Sequence, residues 1–122
     1  MSKTILVVED HEDNRKILRD LLTCHGFGVI EANDGLEGVQ LTRSQQPDLI
    51  LMDIQLPGID GYEATRQIKA DKTVKDIPLI VVTSYALSGD SKKAFEAGCD
   101  AYIAKPYSPR DMLAKIQKFL SQ

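Results

Sequence analysis

Glu9, Asp10, Asp53, Thr83 and Lys105 are the residues of this chain whose types could do chemistry together, and each follows or closes a short apolar run. ILVV precedes Glu9 and Asp10, LILM precedes Asp53, PLIVV precedes Thr83 and Ser84, and AYIA precedes Lys105. If these runs are strands of one sheet, unlike charges meet at one end of it. Two carboxylates about 5 Å apart repel by about 3 kcal/mol at an effective dielectric of about 20, so the acids call for a cation or a proton. Hard oxygen ligands on a loop rim, with room left for water, suit Mg2+ better than zinc. Metal alone leaves Thr83 and Lys105 unexplained. A divalent cation, an ammonium and a hydroxyl around one carboxylate are what an arriving phosphoryl group needs. Asp53 is then the candidate nucleophile, and Glu9 and Asp10 the candidate metal holders.

Positioning these residues requires alternating strands and helices. Strands are expected at residues 4–8, 28–32, 49–53, 78–83 and 101–104, and runs of four to six apolar residues between helical patterns read as βαβ units. The first, third and fourth runs are nearly continuous in Ile, Leu and Val, as interior strands covered on both faces should be. Glu31 interrupts GVIEA, which places that strand at an edge. Helix one is expected over about 14–24, with Ile17, Leu18, Leu21 and Leu22 on one face and Gly26 as its stop. Helix two is expected over about 36–44 behind Asp34, and helix three over about 61–70 behind Asp60. The fourth begins between Ser88 and Asp90 and ends at Gly98. The fifth follows Ser108 and Pro109 with an apolar stripe of Met112, Leu113, Ile116, Phe119 and Leu120.

Five such units predict an α/β fold, an open doubly wound five-stranded parallel sheet of order 2-1-3-4-5 with five helices, flavodoxin-like in plan. Ligands of such sheets sit outside the carboxyl ends of the strands, where the candidate residues fall. Strands one and three are neighbours about 4.8 Å apart, so the three carboxylates should converge, while the fifth strand lies about 10 Å from the third, a gap a lysine can span. Asp13, Asp34, Asp60 and Asp90 read as helix caps, His11 as a solvated loop histidine and His25 as a helix-end cation. Cys24 and Cys99, with neither a CxxC spacing nor a histidine at ligand spacing, read as small buried hydrophobes.

The bounds agree. With 122 residues the chain is expected to be one domain, residues 1–122, with no output domain. Fifteen Lys and Arg against 18 Asp and Glu give a net charge of -3, which argues against a nucleic-acid or anionic-membrane surface and for protein partners. The run at 5–8 is too short for a signal sequence or a membrane span, so a cytoplasmic protein is expected.

Four segments together carry a family resemblance: ILVVED at 5–10, DLILMDIQLPGIDG at 48–61, IPLIVVTSYA at 77–86 and AGCDAYIAKPY at 97–107. Through them the chain resembles the response-regulator receiver domain of two-component signalling, close to CheY-like and DivK-like stand-alone receivers, over nearly its whole length. The resemblance implies that Asp53 is the phosphoacceptor and Asp10 a direct Mg2+ ligand, with Glu9 acting through water and the Gln55 backbone carbonyl completing the protein ligands. Thr83 and Lys105 become the switch hydroxyl and the phosphate-binding lysine, and Tyr102 the aromatic that reorients with Thr83. It also implies a cis peptide before Pro106, and that Gln55 and Tyr85 hold positions that tune phosphoryl lifetime.

The implied partners are a sensor histidine kinase or a histidine phosphotransfer protein and a downstream protein target. The latter is expected on the surface of helix four, strand five and helix five. Such a protein catalyses only its own phosphorylation and dephosphorylation, and is expected to be a monomer or a weak dimer. A flavodoxin-like nucleotide or flavin binder shares the fold, but EDHED after strand one would repel a bare phosphate. A phosphatase of the haloacid dehalogenase type would need its nucleophile on strand one in a DxD pattern, which VVEDHED lacks.

Overall fold

Ile, Leu, Val and Met fill three strands at every position but one end of each, Thr4, Asp53 and Thr83, and these three strands lie inside the sheet. The computed structural model describes residues 3–83 and 90–121. In chain order they form β1 (Thr4–Val8), α1 (Glu12–Cys24), β2 (Gly28–Ala32), α2 (Gly35–Gln45), β3 (Leu49–Asp53), α3 (Gly61–Ala70), β4 (Leu79–Thr83), α4 (Asp90–Ala97), β5 (Ala101–Ala104) and α5 (Pro109–Leu120). The five strands are all parallel, in the order β2-β1-β3-β4-β5 expected from the sequence. Residues 49–53 and 79–83 are buried throughout, whereas β2 at the edge is half-buried except at Ala32.

The period of two divides the core between the faces of the sheet. Leu6, Val8, Ile50, Met52, Leu79 and Val81 meet Val39 of α2, Ala64 and Ile68 of α3 and Ala94 of α4. Ile5, Val7, Leu49, Leu51, Ile80 and Val82 meet Leu18 and Leu22 of α1 and Met112 and Ile116 of α5. The chain therefore winds outward in both directions from β1 and β3, and the crevice at that switch opens at the carboxyl ends of the strands.

Local chemistry sets the helix ends. Asp34 accepts from the Glu37 amide at 2.8 Å, Asp60 from the Glu63 amide at 2.9 Å, and Ser108 from the Asp111 amide at 3.0 Å with Pro109 opening α5. Asp13 does not cap. Helix α1 starts two residues before the expected position, behind His11, whose side chain makes no capping bond, and Glu12 and Asp13 form its acidic first turn. Ser88, where the fourth helix was expected to begin at the earliest, and the side chain of Asp90, its expected cap, lie outside those described. Strand β4 begins at Leu79 because Pro78 has no amide to give, though its carbonyl still accepts from Ile50 at 2.9 Å.

Two apolar expectations fail. Ile17 is 62% exposed, because the face of α1 that reaches the sheet is the narrower one of Leu18 and Leu22. Cys24 is exposed at the end of α1, whereas Cys99 is buried and its thiol is pushed by burial up to about 11. No helix among the described residues is long and apolar enough to cross a membrane.

Candidate functional site

The carboxyl ends of β1, β3, β4 and β5 bring the candidates together. Glu9 follows β1 and is nearly fully buried; Asp53 ends β3, paired in register with Val82 of β4; Thr83 is buried one residue further on. Lys105 follows β5, and its amide donates to the Thr83 carbonyl at 2.7 Å. That bond fixes the start of the loop that carries the ammonium. The Lys105–Pro106 peptide is cis, as the resemblance implied. From there the lysine crosses the gap between β5 and β3: Nζ lies 3.2 Å from Glu9 Oε1 and 3.4 Å from Asp53 Oδ2.

The three carboxylates meet through Glu9. On one side it neighbours Asp53, the two acids sharing the Lys105 ammonium. Burial works to raise the Glu9 carboxyl, but Asp53, the Lys105 charge and the His11 amide prevail and bring it down to about 2. Asp53 goes the other way, raised by burial and then by Glu9 to about 6. Lys105 is raised: burial opposes its charge, yet the two carboxylates outweigh that cost. The Gln55 amide donates to Asp53 Oδ1 at 3.2 Å, which turns its chain back over the acid.

On its other side Glu9 neighbours Asp10 and His11, one ligand atom of each of the three lying within 4.8 Å of the others. Asp53 is outside this group and is joined to it by Glu9 and Lys105. Among the described residues Asp10 Oδ1 is buried without a hydrogen-bond partner; His11 Nδ1, 3.2 Å away, makes no hydrogen bond to it. A buried carboxylate oxygen left without a donor, in a set of hard oxygens beside water, is the chemistry that a small divalent cation satisfies. The donor set fits Mg2+. The His11 ring is 72% exposed, as expected of a loop histidine.

Beneath Asp53 the chain is packed as tightly as backbone allows. The Gly61 amide donates to the Ile54 carbonyl at 2.9 Å, and a Cβ on Gly61 would collide with the Asp53 carbonyl oxygen and approach Ile54 Cα to 2.7 Å. Beside the acids a groove of about 280 Å3 runs between Asn14, Ile17, Pro106 and Tyr107, so the crevice is reached from the α1 side. Tyr102, at the middle of β5, is half-buried beside Phe95 and Phe119. Two residues were not singled out from sequence. Tyr107, whose hydroxyl burial raises, flanks Lys105. Arg15 donates to the carbonyls of Glu9 and Asp10. An arginine one turn into the helix that follows an acid pair was the available signal.

A doubly wound parallel sheet with an acid pair, an aspartate, a threonine and a lysine at its carboxyl edge has counterparts among known proteins. A family model described as the response regulator receiver domain matches residues 5–117, and the chain belongs to that family of two-component signalling proteins. It is similar to the polar-differentiation response regulator DivK of Brucella ovis, at 43% identity over 120 residues covering 98% of each chain.

Among solved structures it resembles the receiver domain of a sensor histidine kinase from Pseudomonas aeruginosa, which holds a magnesium ion in its active-site cleft. The two share 34% identity with a TM-score of 0.93 over all of both chains. A CheY-like receiver domain from Methanospirillum hungatei shares 36% identity, with a TM-score of 0.90 over 99% of this chain and 95% of the other. The protein is a signalling switch rather than a conventional enzyme.

Proposed function

We propose that Asp53 accepts a phosphoryl group from the phosphohistidine of a sensor histidine kinase or a histidine phosphotransfer protein, and that the resulting aspartyl phosphate changes the surface offered to a downstream protein. The reading is carried by one observation: the Lys105 ammonium reaches from β5 to within 3.4 Å of Asp53 Oδ2, so the candidate nucleophile has a cation beside it. A carboxylate oxygen of Asp53 attacks phosphorus, the bond from phosphorus to the donor imidazole nitrogen breaks, and the imidazole leaves with the electron pair. Lys105 takes one phosphoryl oxygen, and the Thr83 hydroxyl is the candidate for another.

Mg2+ is the cofactor this donor set fits, held by Asp10, Asp53 and the Gln55 backbone carbonyl, with Glu9 through water; it would neutralise charge on the phosphoryl oxygens. The relative from Pseudomonas aeruginosa supports this reading. Phosphorylation replaces one carboxylate charge with about two. Drawing Thr83 and Lys105 toward that charge moves the ends of β4 and β5 and so biases the face of α4, β5 and α5. There a groove of about 430 Å3 lies between Phe95, which is 52% exposed, Tyr102, Phe119, Lys115 and Lys118, and Tyr102 is the residue placed to report the shift. A cytoplasmic setting, with free cysteines, suits a kinase partner of this kind.

The test is intact-protein mass spectrometry after incubation with acetyl phosphate and Mg2+. One phosphoryl group per chain is expected, absent in Asp53→Asn and absent with EDTA. Undiminished labelling of Asp53→Asn would show that the nucleophile lies elsewhere.

A further inference from the structure

Edge strand β2 carries Glu31 in register with Val7 of β1, two residues before the acid pair. Its two carboxylate oxygens each face an arginine of α1: Arg15 Nε lies 3.4 Å from Oε1, and an Arg19 terminal nitrogen 2.9 Å from Oε2. Arg15 is only 14% exposed. Its other side turns to the loop after β1, where one terminal nitrogen donates to the Glu9 carbonyl at 2.9 Å and to the Asp10 carbonyl at 3.2 Å. The Glu9 amide in turn donates to the Ala32 carbonyl at the end of β2, 3.1 Å away. The two residues that bear the acids are therefore held by their backbones on three bonds, none of which uses their carboxylates.

We infer that Arg15, oriented by Glu31, is a positioning residue for the cation site, and that it fixes the Glu9–Asp10 backbone so that Asp10 Oδ1 stays buried and open to a divalent cation. The inference rests on the metal reading above. Its physical basis is a cost of alignment. Two successive carbonyls pointing at one guanidinium fix the peptide planes on either side of Asp10, and with them the direction of its Cα–Cβ bond. A charge-assisted donor shared by two carbonyls does this more firmly than water, which would let the loop turn Asp10 outward to solvate the orphaned oxygen. Glu31 matters because an arginine flanked only by carbonyls has no charge to hold its fork in that plane. The edge strand thereby gains a role beyond closing the sheet. Supporting groups of this kind commonly set metal affinity as strongly as a ligand does.

The experiment is a titration of the full chain with Mn2+, read as loss of the free-ion electron paramagnetic resonance signal, with Mg2+ as competitor. No phosphodonor is present. Arg15→Met keeps the stem and removes the donors, and should weaken binding about tenfold. Arg15→Lys, whose ammonium can serve one carbonyl, should fall between it and wild type, and Glu31→Gln should weaken binding about threefold through the loosened fork. Circular dichroism and the metal-free thermal midpoint show that each variant is folded. Affinity within twofold of wild type in folded Arg15→Met overturns the inference. Should Arg15→Met fail to fold, Glu31→Gln decides, and unchanged affinity there overturns it equally. Saturable binding absent from wild type would instead overturn the metal reading, and the positioning role with it.

Discussion

The Lys105 ammonium stands 3.4 Å from Asp53 Oδ2 and 3.2 Å from Glu9 Oε1, so a single cation just after β5 serves two buried carboxylates. One positive charge cannot offset two negative ones at this depth, and Asp53 carries the deficit. Burial and Glu9 hold it near 6, against an ordinary 3.8. An aspartate whose folded value is raised takes up a proton on folding between the two values. Its contribution is complete below about pH 4 and is lost as the pH rises through about 6. Glu9, lowered to about 2, contributes above its usual 4.5 and loses that only in strong acid.

Near neutral pH and without metal, ionised Asp53 is therefore a cost to the fold. Asp53→Asn should raise the thermal midpoint in EDTA at about pH 7.5, by the equivalent of about 1–3 kcal/mol, and the gain should shrink at about pH 4.5. Thermal melts of both proteins at the two pH values check this. A lower midpoint for Asp53→Asn at both would show that the acid stabilises the fold.

Asp10 should behave oppositely to Asp53 toward the cation. Its Oδ1 is the buried oxygen that lacks a hydrogen-bond partner, so Asp10→Ala removes a ligand while relieving no repulsion inside the Glu9–Lys105–Asp53 group. Mg2+ should raise the melting temperature of wild type by mass action and leave that of Asp10→Ala unchanged. Equal shifts in the two proteins would place the cation elsewhere.

Gly61 tests how closely Asp53 is supported from below. A methyl at that position meets the Asp53 carbonyl, which is backbone and has no rotamer by which to retreat. Gly61→Ala should therefore cost about 1–3 kcal/mol in denaturant unfolding and slow phosphorylation by acetyl phosphate, because β3 must shift at the reacting residue. Loss of stability with an unchanged rate would mean that the strain is absorbed by α3.

The strands were legible because burial on both faces fills them with Ile, Leu and Val, and the most apolar runs marked the interior of the sheet, while its order followed from five right-handed βα units. The site was legible for the same reason, since four strand ends in a known order leave one place where Glu9, Asp53, Thr83 and Lys105 can meet. Faces of helices were less so. Ile17 belongs to the α1 pattern by spacing, yet Leu18 and Leu22 are the buried residues, Leu21 packs half-buried beside them, and Ile17, about 100° round the helix from Leu18, is left exposed. Arg15 escaped notice because its partners are spread over β1 and β2: Glu31 lies 12 residues beyond Arg19 and is brought to α1 only by pairing of the two strands. Cys24 was misplaced because its small apolar side chain was weighed without the helix end on which it sits.

Acceptance of the phosphoryl group and its transmission should separate at Thr83 and Lys105. On the proposed function, a bound divalent cation would offset much of the phosphoryl charge, so neither residue should be needed for the bond to phosphorus to form. Both would carry its effect outward, because Lys105 is tied to Thr83 through the 2.7 Å backbone bond, where β4 and β5 end. Lys105→Ala and Thr83→Ala should still be phosphorylated at Asp53, more slowly than wild type, while losing most of the phosphorylation-dependent gain in affinity for a downstream protein. A coupling of about 1–3 kcal/mol, the usual scale for such switches, makes the wild-type gain about 5-fold to 150-fold. The check is the affinity of a protein recovered with phosphorylated wild type, measured against each variant with and without phosphorylation confirmed by mass. Retention of the full gain in both variants would mean that the signal leaves Asp53 by another route, through the backbone of Gln55 or the packing on Gly61.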